Sequence, residues 1–341
     1  MAVRLAPIDA AHAPEETLEA LHELHLEIDD EALPGDPPKP IRQRMVDWAH
    51  LPAFQLVRHW LLWEDGRLVA TSGAEMNLEQ DLDNAFGWVY VRKEARGHGL
   101  GRLVATPMLD LVQEQKRRRL AVELPEGSVF SAIPERAGMK DALLDQHNRL
   151  LISDIDWDLV DQWVVRAAER AADYELLFRA GPLPEEDLEP YCKLTGIMNT
   201  APMEDYERDP EVITPEMWRA WEEQDKKREL EFLIYIARHK PSGTMVGLTQ
   251  FLYQNLNPAQ AYQSDTGVHP EHREKGLGRW LKAAMLQKIR SDYPEVERID
   301  TDNAGSNEPM LNINIALGFK PVRKFHIWQG DVATIRERLK V

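Results

Sequence analysis

The chain states one pattern twice. Trp88-Val-Tyr-Val-Arg-Lys-Glu-Ala-Arg-Gly-His-Gly-Leu-Gly ends at Gly101, and its Arg96, Gly99 and Gly101 recur as Arg273, Gly276 and Gly278, each 177 positions later. Chance rarely keeps such a register. A repeat of this period means two copies of a whole domain rather than a solenoid of short units, and 341 residues are enough for two full cores.

The second copy shows what the pattern does. Ala261 to Val268 reads as a strand, Pro270 centres a turn, and Arg273-Glu-Lys-Gly-Leu-Gly opens an amphipathic helix. Glycines at the mouth of a helix clear side chains from where backbone must approach a ligand. The first-turn N–H groups, unpaired within the helix, point outward at the positive end of its dipole. A pyrophosphate suits such a site. The dinucleotide fingerprint fails, since Leu281 stands where its third glycine belongs, and Gly-Lys-Ser/Thr of the P-loop is absent.

Arg-x-x-Gly-x-Gly between a strand and a helix resembles motif A of the GNAT superfamily of N-acetyltransferases, whose loop holds the pyrophosphate of acetyl-coenzyme A. Downstream, a strand from Val296 to Thr301, then Asn303, Asn307 and Leu317-Gly318-Phe319, is similar to the family's closing segment. The two-copy plan resembles that of tandem members such as mycothiol synthase. The resemblance implies an α/β (α+β) fold: two tandem GNAT domains, each a mixed, mostly antiparallel central sheet flanked by helices. It assigns 1–155 to a first domain, 156–173 to a connecting helix and 174–341 to a second, catalytic domain.

Composition narrows the partners. A net charge of −17 excludes a nucleic-acid backbone as a direct partner and suits a cationic, amine-bearing acceptor. Against it, both loops are locally basic, with Arg96, His98 and Arg102 in one and Arg273, Lys275 and Arg279 in the other. No apolar run approaches the ~20 residues that span a bilayer, and the first residues lack a signal peptide's apolar centre, so the expected location is cytoplasmic, off the membrane. Cys192 is the only cysteine, which excludes an internal disulfide and a cysteine zinc cluster; no metal is expected.

Along the chain, Val3 to Ile8 reads as a strand and Leu18, Leu21, Leu24 and Ile28 as one helical stripe. Phe54 to Met76 reads as a hairpin with Asp65-Gly66 at its tip, and the helix after the first loop turns Leu103, Met108, Leu111 and Val112 inward. The first copy then departs from the family: Gly127 and Pro134 stand where its asparagine and tyrosine belong. It keeps the loop and loses much of the acyl-transfer half, so it either binds cofactor or survives only as a fold. Met198 to Trp221, rich in Met, Trp and acid, is either an acceptor-facing wall able to cage an amine or a packed helix with a solvated acidic face.

The resemblance implies acetyl-coenzyme A as cofactor and direct attack by the amine of a small molecule, in a monomer or homodimer; the alternative is an acyl-coenzyme A binding module without turnover. Cofactor would lie on Val268, Arg273, Glu274, Lys275, Gly276, Leu277, Gly278, Arg279, Asn303 and Asn307, and in the first copy on Val91, Arg96, Gly97, His98, Gly99, Leu100, Gly101 and Arg102. Val268 would give its N–H to the thioester oxygen. Asp265, on the same strand, is the favoured general base, ahead of Tyr262, His269 and Glu231. Asn314 occupies the place of the family's acidic tyrosine; an amide can bond to sulfur there but cannot protonate it.

Overall fold

A computed structural model describes residues 3–341; Met1 and Ala2, with which the first expected domain begins, lie outside the described residues. The first half runs β1 (Val3–Ile8), α1 (Glu15–Ala32), α2 (Ile41–Ala49), β2 (Gln55–Glu64), β3 (Arg67–Asn77), β4 (Asn84–Val91), α3 (Leu100–Glu114), β5 (Arg119–Pro125), α4 (Ala132–Arg136) and β6 (Lys140–Leu151). The second runs α5 (Trp157–Arg170), β7 (Tyr174–Ala180), α6 (Glu185–Thr195), α7 (Pro215–Lys227), β8 (Leu230–His239), β9 (Met245–Gln254), β10 (Gln260–Val268), α8 (Leu277–Asp292), β11 (Arg298–Ala304), α9 (Glu308–Leu317), β12 (Lys320–Asp331) and α10 (Val332–Leu339).

The two compact units interleave along the chain. One holds residues 1–144, 203–209 and 323–341; the other holds 145–202 and 210–322. In the first unit the strands lie in the order β1-β2-β3-β4-β5-β12, and in the second β6-β11-β10-β9-β8-β7. Most neighbours are antiparallel, while β4 with β5 and β10 with β11 are parallel. The domain assignment read from the sequence put β6 wholly in the first copy and β12 in the second. In the structure, residues 145–151 of β6 pair β11 in the second unit, and residues 325–331 of β12 pair β5 in the first. Each half of the chain lends the other a strand, which no local pattern announces.

In the first unit the sheet is covered on both faces. Leu21 and Leu24 of α1 bury against Leu61 and Leu68, so the predicted stripe is a packing face. Leu100, Val104, Met108 and Val112 of α3 bury on the opposite face against Trp60, Leu62 and Ala70. Of the expected inward residues, Met108 and Val112 are buried and Leu111 packs against the same core, whereas Leu103 is 44% exposed and Leu100 and Val104 take its place. Asp65 and Gly66 both take positive φ, the geometry of a tight hairpin.

In the second unit α8 presses Leu281, Met285 and Ile289 onto β8, β9 and β10, and α6 with α7 covers the other face through Tyr191, Trp218, Ile234 and Leu248. Within the Met198–Trp221 stretch, Met217 and Trp218 are packed. Trp218 is buried, stacked edge-on to Tyr191 at 4.9 Å, with its indole N–H on Glu222. Met203 to Asp209 belongs to the first unit: Glu204 accepts from Leu144 N, Asp205 N donates to Ala142 O, and Glu207 pairs with Arg119.

Candidate active site

Each loop is built by the same backbone device. Gly276 (φ 81°) and Gly99 (φ 80°) are left-handed residues at the start of α8 and α3, and neither supplies a capping side chain. Two positions earlier the first unit uses Gly97 (φ 82°), whereas the second forces Glu274 to φ 65°. That costs a non-glycine residue roughly 1–2 kcal/mol, so the turn geometry is held by its surroundings. A Cβ built on Gly97, Gly99 or Gly276 meets nothing within 4 Å. Those glycines are needed for φ, and the space over them stays clear for a ligand to approach. The first helical bond of α8 runs from Trp280 N to Gly276 O, which leaves the N–H groups of Leu277, Gly278 and Arg279 directed out of the helix end.

The side chains around the loops hold them in shape. Arg273 Nε donates to Val268 O at 3.0 Å and a terminal nitrogen to Thr200 Oγ1 at 2.9 Å; Arg96 Nε donates to Val91 O at 2.9 Å and pairs with Glu31. The repeated arginine thus ties the helix mouth to the strand that precedes it. Lys275 donates to Tyr174 OH (2.7 Å), which lies 2.9 Å from Nδ1 of His272. Burial, then Lys275, lowers the His272 pKa. Arg279 lies over the Trp163 ring at 5.2 Å.

The strand before the second loop parts from its parallel neighbour. β10 pairs β11 only from Gln260 to Tyr262, and beyond that the two part. Against β9 its register slips between Gln263 and Thr266, so Ser264 and Asp265 share a bulge. His269 N bonds Val246 O, which makes Val268 opposite Gly247 a pair without ladder bonds. The Val268 N–H therefore points away from β9, into the gap on the β11 side. In the first unit β4 keeps one register with β3 from Phe86 to Val91 and carries no bulge. The units share a loop and differ in the strand that would meet the acyl group.

Around the gap stand Asn303, Asn314 and a residue the sequence reading did not name, Lys282. Lys282 is 2% exposed; its Nζ donates to Asn314 Oδ1 at 2.6 Å and lies 5.4 Å from the Phe319 ring centre. Asn314 Nδ2 then donates to Asn303 Oδ1 at 2.7 Å. Burial brings the Lys282 pKa down to about 7. A lysine within the α8 stripe breaks the apolar pattern, which was the signal available. Asn307 starts α9, but its side chain makes no capping bond; its carbonyl accepts from Met310 N and Leu311 N instead.

On the α6 side of β10 lies a charged cluster. Tyr262 OH donates to Asp302 (2.6 Å), Asp302 also binds His147 Nδ1 (2.7 Å), and Arg149 grips Asp300 with two bonds. Burial opposes charge on His147, but Asp300 and Asp302 outweigh it and raise its pKa to about 9. Burial likewise opposes charge on Asp300, and His147 and Arg149 bring it down to about 2. Asp145, opposite Ala304 at the end of this ladder, is raised by burial to about 6. Asp145 and His147 escape sequence reading because β6 arrives from the first half of the chain. The Asp265 charge reaches this cluster, contributing to the raised pKa of Tyr262. Glu231 is placed elsewhere, accepting from Tyr293 OH at 2.7 Å, and His269 lies in the turn after β10.

No helix among the described residues is long and apolar enough to cross a membrane. Among curated proteins none matches the sequence. Among solved structures, a tandem GNAT protein from the clavulanic acid biosynthesis pathway, without AcCoA, superposes with a TM-score of 0.76 at 23% identity, over 97% of this chain and 99% of that one. A GCN5-related N-acetyltransferase from Sphaerobacter thermophilus gives 0.68 at 15% identity, over 97% and 96%. At these identities they establish the two-domain fold alone. The model of the acetyltransferase (GNAT) family matches residues 18–128 and again 198–319, each span carrying one of the two loops. Loop, helix mouth and parted strands thus coincide twice with that match, and the chain belongs to the acetyltransferase (GNAT) family.

Proposed function

We propose that the protein transfers an acetyl group from acetyl-coenzyme A to the primary amine of a small molecule, in the second unit. The observation that carries this reading is the Val268 N–H directed into the gap that the β10 bulge opens, at the mouth of a helix whose first-turn N–H groups are free to take a pyrophosphate. The residues fit the donor: the cleared space over Gly276 admits phosphate, and Val268 N–H would stabilise charge developing on the donor's carbonyl oxygen. Bound there, acetyl-coenzyme A supplies the acyl group as a thioester.

The chain's part is to orient the amine and take its proton. Two carboxylates suit that role: Asp265 in the bulge, and Asp145, whose pKa near 6 suits a base at neutral pH. Changing the acting carboxylate to Asn should lower kcat roughly 10²–10⁴-fold with acetyl-coenzyme A affinity intact. An acidic limb near pH 6 that vanishes in Asp145→Asn assigns the base to Asp145; one that survives removes Asp145 from the role.

Calorimetric titration with acetyl-coenzyme A tests the site itself. Gly276→Glu should abolish binding by crowding the pyrophosphate, whereas Gly99→Glu should leave it; no binding by the wild type would end the acetyltransferase reading for this chain. A second reading, acyl-coenzyme A binding without turnover, is favoured by Asn314, which Lys282 and Asn303 engage on both sides where an acid is expected. Thioester cleavage that rises only when an amine is added separates the two.

A further inference from the structure

The turn between β10 and the second loop gathers imidazoles. His269 follows the strand, Pro270–His272 forms a short 3₁₀ turn, and Arg273 opens the loop. A bond from His272 N to His269 O at 2.8 Å closes the turn, so side chains three residues apart come to one side. One donor atom each from His269, Glu271 and His272 lies within 4.8 Å of the others, and the two rings are 6.0 Å apart. His239, the last residue of β8, brings a third ring to 5.2 Å from that of His272.

The fold does not ask for these side chains. At the constant offset of 177 the first unit builds the same 3₁₀ turn, Lys93–Ala95, with Arg92 and Ala95 where the second has His269 and His272. Arg92 is buried there, its Nε on Leu68 O at 2.7 Å and its guanidinium paired with Glu27. One copy spends the position on structure. The other leaves it accessible: among the described residues no hydrogen bond or ion pair engages the His269 ring or the Glu271 carboxylate.

Two of the rings are held from behind. Nδ1 of His272 lies 2.9 Å from Tyr174 OH and Nδ1 of His239 lies 2.9 Å from Ser242 Oγ, so each ring keeps Nε2 for another partner. A bond of this kind at one ring nitrogen orients an imidazole whose other nitrogen ligates. Burial, Lys275 and the two neighbouring histidines lower the His272 pKa, which favours the neutral, ligating form of the ring. Lys275 also opposes a cation here, and the Glu271 carboxylate counters it.

Imidazoles with one carboxylate are a borderline-soft donor set, suited to Zn²⁺ rather than to Mg²⁺ or Ca²⁺, which take oxygen shells. Donors around a tetrahedral Zn²⁺ stand about 3.3 Å apart, a spacing that side-chain rotation in an accessible turn can reach. We propose that His269, Glu271 and His272 form a Zn²⁺ site, its fourth position open to His239 or water. The ion would pin the turn that delivers Arg273 to the loop.

The probe is Zn²⁺ alone, titrated calorimetrically into the untagged full chain without acetyl-coenzyme A, so the outcome does not depend on the proposed activity. The expected result is one saturable site per chain that persists in a roughly hundredfold excess of Mg²⁺. Affinity should fall at least tenfold in Glu271→Gln and in His269→Gln, and stay unchanged in His12→Gln, at an exposed histidine–aspartate pair of the first unit. Each variant is first required to melt cooperatively, and the exposed Glu271→Gln carries the test if His269→Gln does not. Absence of saturable binding, displacement by Mg²⁺, an equal loss in His12→Gln, or indifference of a folded Glu271 or His269 variant, which would mark an adventitious ion only, overturns the proposal.

Discussion

A buried lysine on α8 and a half-buried histidine on β6 should give opposite pH signatures. Lys282 is brought from 10.5 to about 7 by burial, so between those values the unfolded chain carries a proton that the folded chain has shed. Stability from this group rises with pH across that window and its penalty is complete below pH 7. His147 is raised from 6.5 to about 9; its contribution is fully present below pH 6.5 and is lost as pH rises through 9. Urea unfolding at pH 7.5 and 9.5 should therefore show Lys282→Met removing an upward slope of at most about 1.4 kcal/mol per pH unit, and His147→Gln removing a downward one. At this scale the sequence was half legible. Arg273, Gly276 and Val268 could be named because the loop has a fixed spacing, whereas Lys282 and His147 acquire meaning only from partners 32 and 155 positions away, and Asp145 from a strand brought opposite it.

Among elements, the bulge in β10 separates two otherwise equivalent strands. β4 and β10 each lead into a left-handed glycine and a helix mouth, yet only β10 slips register, at Ser264-Asp265. Deleting Ser264 should restore a continuous ladder from Gln260 to Val268 and lower kcat by more than tenfold, with a cooperative melt retained; unchanged turnover would detach the bulge from catalysis. The helix stripes show why sequence periodicity misplaced one residue, Leu103, in α3 and none of Leu18, Leu21 and Leu24 in α1. In α1 the apolar residues Leu18, Leu21 and Leu24 fall on one face only, but α3 offers Leu100, Leu103, Val104, Met108, Leu109, Leu111 and Val112, enough for two competing stripes. The choice is made by packing: Leu100, Val104, Met108 and Val112 meet Trp60, Leu62 and Ala70 of the sheet.

For the whole molecule, the interleaved units were beyond local reading, since a repeat of 177 residues implies two consecutive copies and says nothing of exchanged strands. Fragments cut at residue 173 should expose this. The first would lack β12 and α10, whose Val332 and Ile335 are buried in the first unit's core, and the second would lack β6 beside β11. Near-ultraviolet circular dichroism should show each fragment without fixed packing alone and recovering it on co-expression; a cooperative melt of either alone would refute the prediction. The exchange also sets a clock on biosynthesis. β5 leaves the ribosome with its β4 edge satisfied and its other edge bare, because the residues that cover it, Phe325 to Asp331, are about 200 positions downstream. At roughly 5–20 residues per second that edge waits some 10–40 s, and during this interval the nascent first unit is the part of the protein most in need of a chaperone.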